Sequence, residues 1–262
     1  MTQAAPPEPA SDAPEEVSTE RYMTLLEHIE ELRFRLFISA VFIVIGLGIS
    51  VYFGQDIIEF LKKPAEARNP NSEFELQFIE PFELFVTYFR VSLLGGLILG
   101  MPMMVYQGLR FVSPGLAPNE RRWLYGTVFG TFLLFLGGVA FAYYVALPPA
   151  MDFLLNFGDG EIAQPNIRVG SYVDFVTRLL FWTGVAFQTP LVVMYLSRFG
   201  IVTPGQLLRW WRFAIVAAFV VAAIVTPTID PVTQSLVAGP IIVLYCVGIL
   251  LAWLVQPRQA HP

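Results

Sequence analysis

Three acids are followed closely by two arginines in one short segment, residues 23–36, which reads MTLLEHIEELRFRL. Glu31 stands four residues before Arg35, and Glu30 stands three residues before Arg33. These are the spacings at which opposite charges pair on one face of a helix. Spacing alone therefore favours local ion pairs over contact with another molecule.

A second carboxylate stands among arginines further along the chain. Glu120 is the only acid in residues 106–122, YQGLRFVSPGLAPNERR, and Arg121 follows it directly. It could neutralise Arg121, or favour the start of a helix through the helix dipole. If it lies beside Glu31, each acid could instead bind a guanidinium in a bidentate pair that lysine cannot reproduce. That use needs both acids.

Two further polar residues interrupt apolar sequence. Gln188 stands two residues before Pro190, which leaves a backbone carbonyl free one turn earlier. We expect its amide to form an interhelical hydrogen bond or to contact a partner helix. Asp230 precedes Pro231, which is typical of a turn or a helix N-cap.

The residues needed for several kinds of chemistry are missing from the sequence. Cys246 is the single cysteine, and His28 and His261 are the only histidines. No HExxH, nucleophile elbow or GxxxxGK[ST] motif occurs, so we predict neither an enzyme nor a bound cofactor. A net charge of −5 also gives no basic footprint for nucleic acid.

The elements that carry these residues are expected to be membrane helices. Hydrophobic residues make up 55% of the 262 residues and charged residues 14%, and the mean hydropathy is +0.60. This composition leaves too few polar residues to cover the surface of a soluble globular protein. We predict an all-α polytopic membrane protein with six transmembrane helices. The predicted spans cover residues of about 34–53, 84–106, 123–147, 173–196, 213–227 and 236–255.

Arginine and lysine are divided unevenly between the two sides of these spans. One side holds ten arginines: Arg21, Arg33, Arg35, Arg110, Arg121, Arg122, Arg198, Arg209, Arg212 and Arg258. The other side holds Lys62, Lys63, Arg68 and Arg168, with Arg90 and Arg178 just inside the spans. Trp123, Trp210, Trp211 and Trp253 fall on the arginine-rich side as an interfacial belt. The positive-inside rule therefore places both termini in the cytoplasm.

The segments outside the spans complete the predicted organisation. Residues 1–20 hold five acids and no base and are expected to be a disordered tail. Residues 21–256 form one membrane domain, followed by a short tail over 257–262. The two longer outer loops are expected to form a cap, with a short amphipathic helix around Ile57 and an alternating strand over residues 74–78.

Four local expectations follow from spacing. Residues 25–36 carry an apolar stripe that predicts a helix lying in the membrane interface before it turns into the first span. The fifth apolar run is too short to cross an average bilayer. Arg90 and Arg178 are expected to snorkel to the outer interface. The spacings Gly96/Gly100 and Gly126/Gly130 predict close helix packing inside the bundle.

Five motifs together resemble the TatC family of the twin-arginine translocase. In order, they are HIEELRFRL, YQGLRFVSPGLAPNERR, GVAFAYYVALP, GVAFQTPLVV and TPTIDPVTQ. The resemblance runs from about Met23 to Val255. It implies a receptor in the cytoplasmic (inner) membrane that binds twin-arginine signal peptides of folded cargo.

The resemblance also implies roles for individual residues. It places the signal-peptide contacts at Glu31, Glu120 and Phe111, which reverses the preference for local pairing. It marks Asp230 as a candidate functional position and Pro64 as a structural one. The family usually has glutamate where this chain has Gln188, so a role for a titrating carboxylate there is not expected.

The implied partners are single-span TatA-type and TatB-type proteins, further copies of the chain, and the lipid bilayer, with the proton gradient as energy source. A small-solute secondary transporter is the alternative function. It is disfavoured because paired ionisable groups near the midplane are missing from the sequence.

Overall fold

The computed structural model describes residues 25–66, 77, 79–112, 121–156, 168–198, 200–226 and 231–255. Its helices are α1 Leu25–Tyr52, α2 Gly54–Glu66, α3 Glu83–Val112, α4 Arg121–Phe141, a π-helix Ala142–Ala146, α5 Leu147–Asn156, α6 Val169–Ala186, α7 Thr189–Arg198, α8 Pro204–Arg209, α9 Trp211–Val225 and α10 Pro231–Val255. Within these ranges the only β pairing is one isolated bridge between Gln77 and Arg168. The all-helical prediction is confirmed for the described residues, whereas the predicted tails and, apart from Gln77, the predicted strand over 74–78 lie outside them.

Five helical segments are long and apolar enough to cross a membrane. They are Leu26–Tyr52, Glu83–Phe111, Gly126–Leu154, Val169–Arg198 and Pro231–Val255. Their outward faces are apolar; Phe37, for example, is 67% exposed and Leu250 is 64% exposed, which suits contact with lipid. The remaining apolar helix, α9, has 15 residues and a length of about 22 Å, so the prediction of a short fifth helix is confirmed.

The helices define two ends of the bundle. At one end the start of α1 meets the end of α3, where His28 stacks on Phe111. At the other end the Tyr88 hydroxyl of α3 donates to the Val51 carbonyl of α1. We call the first the proximal end and the second the distal end. α1 and α3 therefore run antiparallel.

The predicted turn between an interfacial helix and the first span is wrong. α1 continues without a break from Leu25 to Tyr52, a length of about 42 Å. The physical reason is that residues 25–45 contain neither glycine nor proline, so nothing in the sequence interrupts the backbone hydrogen bonds.

The two predicted glycine contacts have different outcomes. A Cβ on Gly96 would lie 2.7 Å from the Leu47 nitrogen, so α1 and α3 are in backbone contact there. Gly100 packs less tightly on Ile43, where the nearest atom would be 3.1 Å from such a Cβ. Gly126 and Gly130 have nothing within 4 Å of such a Cβ, so the prediction that they pack inside the bundle is wrong for this chain.

The core of the bundle is built around α6. Val173, Val176 and Leu179 are completely buried and belong to one apolar cluster with residues of α3, the π-helix and α9. The predicted fourth span is broken after α6, because Pro190 cannot donate to the carbonyl of Ala186. The Thr189 hydroxyl donates to that carbonyl instead, at 2.6 Å.

Candidate functional site

At the proximal end, Glu31 binds the guanidinium of Arg35. The Arg35 Nε donates to Glu31 Oε1 at 2.9 Å, and its Nη2 donates to the same oxygen. Arg35 also reaches α3, where its Nη1 donates to the Gln107 Oε1 at 3.3 Å. The predicted Glu31–Arg35 pair is confirmed, whereas Glu30 and Arg33 form no ion pair with each other among the described residues.

The second carboxylate oxygen of Glu31 has no hydrogen-bond donor. Oε2 is enclosed and accepts no hydrogen bond within the described part of the chain. A buried carboxylate oxygen without a donor is costly, since charged acceptors lose more than neutral ones when they are desolvated. Glu31 therefore keeps one unused site for a donor such as a guanidinium.

His28 connects Phe111 to the neighbourhood of this carboxylate. The His28 and Phe111 rings are stacked, with centroids 4.1 Å apart and planes 18° from parallel. The His28 Nδ1 is 3.9 Å from Glu31 Oε2. Sequence reasoning counted His28 only when excluding metal and triad chemistry. Its position three residues before Glu31, on the same helix face, could have identified it.

The structure thus places Glu31 and Phe111 at the same, proximal end, each next to His28. Glu120 lies outside the described residues, in the segment between the end of α3 at Val112 and the start of α4 at Arg121. Asp230 also lies outside them, directly before α10.

Gln188 lies at the break between α6 and α7 and faces α4. Its Nε2 donates to the Thr131 carbonyl at 3.2 Å and more weakly to that of Gly184 at 3.5 Å, whereas its buried Oε1 accepts no hydrogen bond among the described residues. The predicted interhelical hydrogen bond is therefore present. A carboxylate could not replace the amide there unless it carried a proton, because the Thr131 carbonyl is an acceptor.

At the distal end, Glu83 is the centre of a polar cluster that sequence reasoning missed. Glu83 accepts hydrogen bonds from the backbone nitrogens of Ile79 at 2.9 Å, Glu80 at 3.3 Å and Gly170 at 2.9 Å. The Arg168 guanidinium adds a fourth at 3.3 Å. The cluster joins the start of α3 to the start of α6. Its sequence signal was an acid in the first turn of a helix.

Three arginines at this end are paired with acids. Arg168 bridges Glu83 and Glu80, and these hydrogen bonds raise the pKa of its guanidinium above the ordinary value. Arg90 and Arg178 were expected only to snorkel. Both bind Asp174, at 2.8 Å and 2.9 Å, so this carboxylate of α6 links them.

Pro64 has a structural consequence in α2. It has no N–H for the Phe60 carbonyl four residues earlier. The Tyr143 hydroxyl, from the π-helix, donates to that carbonyl at 2.6 Å, and the two rings stack with centroids 4.3 Å apart. Tyr172 binds the next carbonyl, that of Leu61, also at 2.6 Å. Two tyrosines therefore attach α2 to the bundle.

Comparison with known proteins identifies the family. A family model described as Sec-independent protein translocase protein (TatC) matches residues 27–240. The TatC protein of Aquifex aeolicus is 39% identical over 238 residues, which cover 90% of this chain and 98% of that protein. The chloroplastic TATC protein of Arabidopsis thaliana is 39% identical over 248 residues, which cover 92% of this chain and 69% of that protein.

The fold is shared with a solved structure. A crystal structure of the twin-arginine translocase receptor TatC superimposes with a TM-score of 0.78 at 39% identity, covering 87% of this chain and 99% of that one. A second structure of the same receptor in the detergent DDM gives a TM-score of 0.79. Sequence and fold agree over most of the molecule, and the chain belongs to the TatC family of Sec-independent, twin-arginine protein translocases.

Proposed function

We propose that this translocase component is the receptor for twin-arginine signal peptides of folded proteins, and that it binds them at its proximal end. Glu31 and Glu120 each bind a guanidinium of the twin-arginine pair, and Phe111 contacts the peptide beside them. Family membership favours this function over small-solute transport.

The observation that carries the proposal is the half-occupied carboxylate of Glu31. One oxygen already binds a guanidinium, that of Arg35, and the other is enclosed without a donor. The site is therefore built for arginine and has capacity for a second one. Arg35 holds the carboxylate in place when no peptide is bound.

The proximal end faces the cytoplasm in this proposal. Arg33, Arg35, Arg110, Arg198, Arg209 and Arg212 belong to this end, and their number supports the orientation through the positive-inside rule. α9 completes a sixth crossing of the inner membrane, with local thinning of the bilayer around its 15 residues. The distal end, including α2, then forms the extracytoplasmic cap.

The chain works with partners in this proposal. TatA-type and TatB-type single-span proteins and further copies of the chain assemble around its exposed apolar helix faces, and the proton gradient drives export. Asp230 remains a candidate contact. At Gln188, Nε2 is used inside the bundle and Oε1 is unpaired but buried, so contact of this amide with a partner helix requires the bundle to rearrange locally.

A binding experiment tests the receptor function. The purified full-length chain in nanodiscs is titrated with a labelled twin-arginine signal peptide. Glu31→Gln and Glu120→Gln should each weaken binding about tenfold or more, since a charge-assisted hydrogen bond contributes about 1.5–3 kcal/mol. Glu30→Gln is the matched control, because Glu30 is an exposed neighbour on the same helix. Equal affinities for Glu30→Gln and Glu31→Gln would contradict the proposal.

A labelling experiment tests the orientation. Cys246 is first replaced by alanine, which leaves a chain without cysteine. Gly205→Cys then places a thiol at an open proximal position, and Lys62→Cys places one in α2 at the distal end. A membrane-impermeant maleimide added to the outside of intact cells should label the second variant only. Labelling of the first alone would reverse the assignment.

A further inference from the structure

We propose that His28 is a specificity-determining residue of the signal-peptide site. Its imidazole and the Phe111 ring form a flat stacked pair beside the open oxygen of Glu31. A guanidinium of the peptide stacks on this pair while it donates to Glu31 Oε2, and this selects arginine over lysine. The inference rests on the proposed receptor function.

The first step of the argument is the geometry of the ring pair. His28 belongs to α1 and Phe111 to α3, yet their centroids are 4.1 Å apart and their planes differ by only 18°. Stacking uses one face of each ring. The His28 side chain is still 45% exposed, so a ligand can reach it from outside.

The second step is the position of the acceptor. Glu31 Oε2 is 3.9 Å from His28 Nδ1 and accepts no hydrogen bond among the described residues. Oε1 is occupied by Arg35. A guanidinium that stacks on the imidazole therefore lies next to the unpaired oxygen, and we infer that the Glu31 side chain, which is 18% exposed, turns to present this oxygen when the peptide binds.

The third step is the rigidity of this arrangement. α1 and α3 are held together at successive levels, first by the backbone contact of Gly96 with Leu47 and then by the hydrogen bond from Arg35 to Gln107. The His28–Phe111 stack is the last level, at the proximal end. A recognition pair supported by two packed helices is held more accurately than one on loops alone.

The last step is the difference between the two cations. Arginine presents a planar, weakly hydrated guanidinium that stacks on aromatic faces, whereas the lysine ammonium is a compact, strongly hydrated charge. Both can pair with a carboxylate. A flat ring pair beside the carboxylate adds affinity mainly for arginine.

The experiment measures two affinities for each variant of the full-length chain in nanodiscs. The probes are a synthetic twin-arginine signal peptide and the same peptide with twin lysine. In His28→Gln, which keeps a donor but loses the ring, the preference for twin arginine should fall about two- to fivefold. Affinity for twin lysine should stay the same. His28→Phe keeps the ring and should retain the preference.

A double substitution tests whether the rings act as a pair. His28→Gln combined with Phe111→Leu should lose no more preference than the worse single variant. The inference is overturned if His28→Gln leaves the preference unchanged, or weakens both peptides equally as general loss of structure would. If the wild-type chain itself binds both peptides equally, the receptor function has failed. If Glu31→Gln removes the preference for twin arginine but His28→Gln does not, the receptor function stands and only the role of His28 is wrong.

Discussion

The two ends of the bundle differ in how fully a key carboxylate is hydrogen-bonded. At the distal end, Glu83 accepts four hydrogen bonds, three from backbone nitrogens and one from Arg168. At the proximal end, Glu31 has both donors from Arg35 on one oxygen and none on the other. A carboxylate whose hydrogen-bonding capacity is filled by the protein stabilises the fold. A carboxylate with one unpaired oxygen still has capacity to bind a ligand. This difference supports the proposal that the proximal end binds the signal peptide while the distal end stabilises the fold.

The largest effect should come from breaking the saturated site. Glu83→Gln replaces an acceptor-only carboxylate by a group with two donors, which would face the backbone nitrogens and Arg168. We expect the melting temperature to fall by on the order of 5 °C or more. Thermal unfolding in detergent measures this. The comparison fails if Glu83→Gln leaves the melting temperature unchanged and instead weakens twin-arginine peptide binding.

The next effect concerns the glycines that set helix spacing. Gly96→Ala would press a methyl group against the backbone of Leu47 and should cost about 1–3 kcal/mol. Gly126→Ala is the matched control, because nothing lies within 4 Å of its Cβ, and it should change stability by less than about 0.5 kcal/mol. SDS-induced unfolding in mixed micelles compares the two. Equal losses would show that the open face of α4 is packed after all.

A smaller effect should appear at the attachment of α2. Tyr143→Phe removes the hydroxyl bound to the Phe60 carbonyl and should cost about 1 kcal/mol, or about 2–4 °C in melting temperature. Pro64→Ala returns an N–H to that carbonyl. In the Pro64→Ala background, Tyr143→Phe should therefore cost much less. A double-mutant cycle with no coupling would exclude this compensation.

The smallest stability effect should come from the open site. Glu31→Gln breaks a local i,i+4 pair and should change the free energy of unfolding by about 0.5 kcal/mol or less. Its effect on twin-arginine peptide binding should still be tenfold or more. Unfolding measured on the same nanodisc samples separates the two. A loss of stability as large as that of Glu83→Gln would make Glu31 a scaffold residue.

Features that depend on local spacing were predicted from the sequence. The Glu31–Arg35 pair, the amphipathic helix α2 and the backbone carbonyl that Pro190 leaves without an N–H donor all follow from residues within one or two helical turns. Each depends on the chain alone, because a helix brings residues three and four apart together regardless of what packs on it. The same applies to the low charge and the long apolar runs, which require helices in a bilayer.

Features that join distant parts of the chain were missed. Asp174 pairs with Arg90 from a position 84 residues away, and Glu83 binds the backbone of Gly170. The two glycine spacings look alike in the sequence, yet Gly96 and Gly100 meet a neighbouring helix whereas Gly126 and Gly130 do not. Helix propensity and residue spacing do not predict which helix faces contact each other, because those contacts depend on the packing of the whole bundle.

The sequence by itself determined the class of protein, the helix-forming segments, the charge asymmetry and, through five motifs, the family. It also pointed to Glu31 and Phe111. Only the tertiary structure decided that His28, close to Glu31, stacks on Phe111 and that one oxygen of Glu31 has no hydrogen-bond donor. The physical reason is that helical periodicity fixes which residues of one helix can pair. Whether a carboxylate has all its hydrogen bonds depends on which donors other helices and loops bring to it.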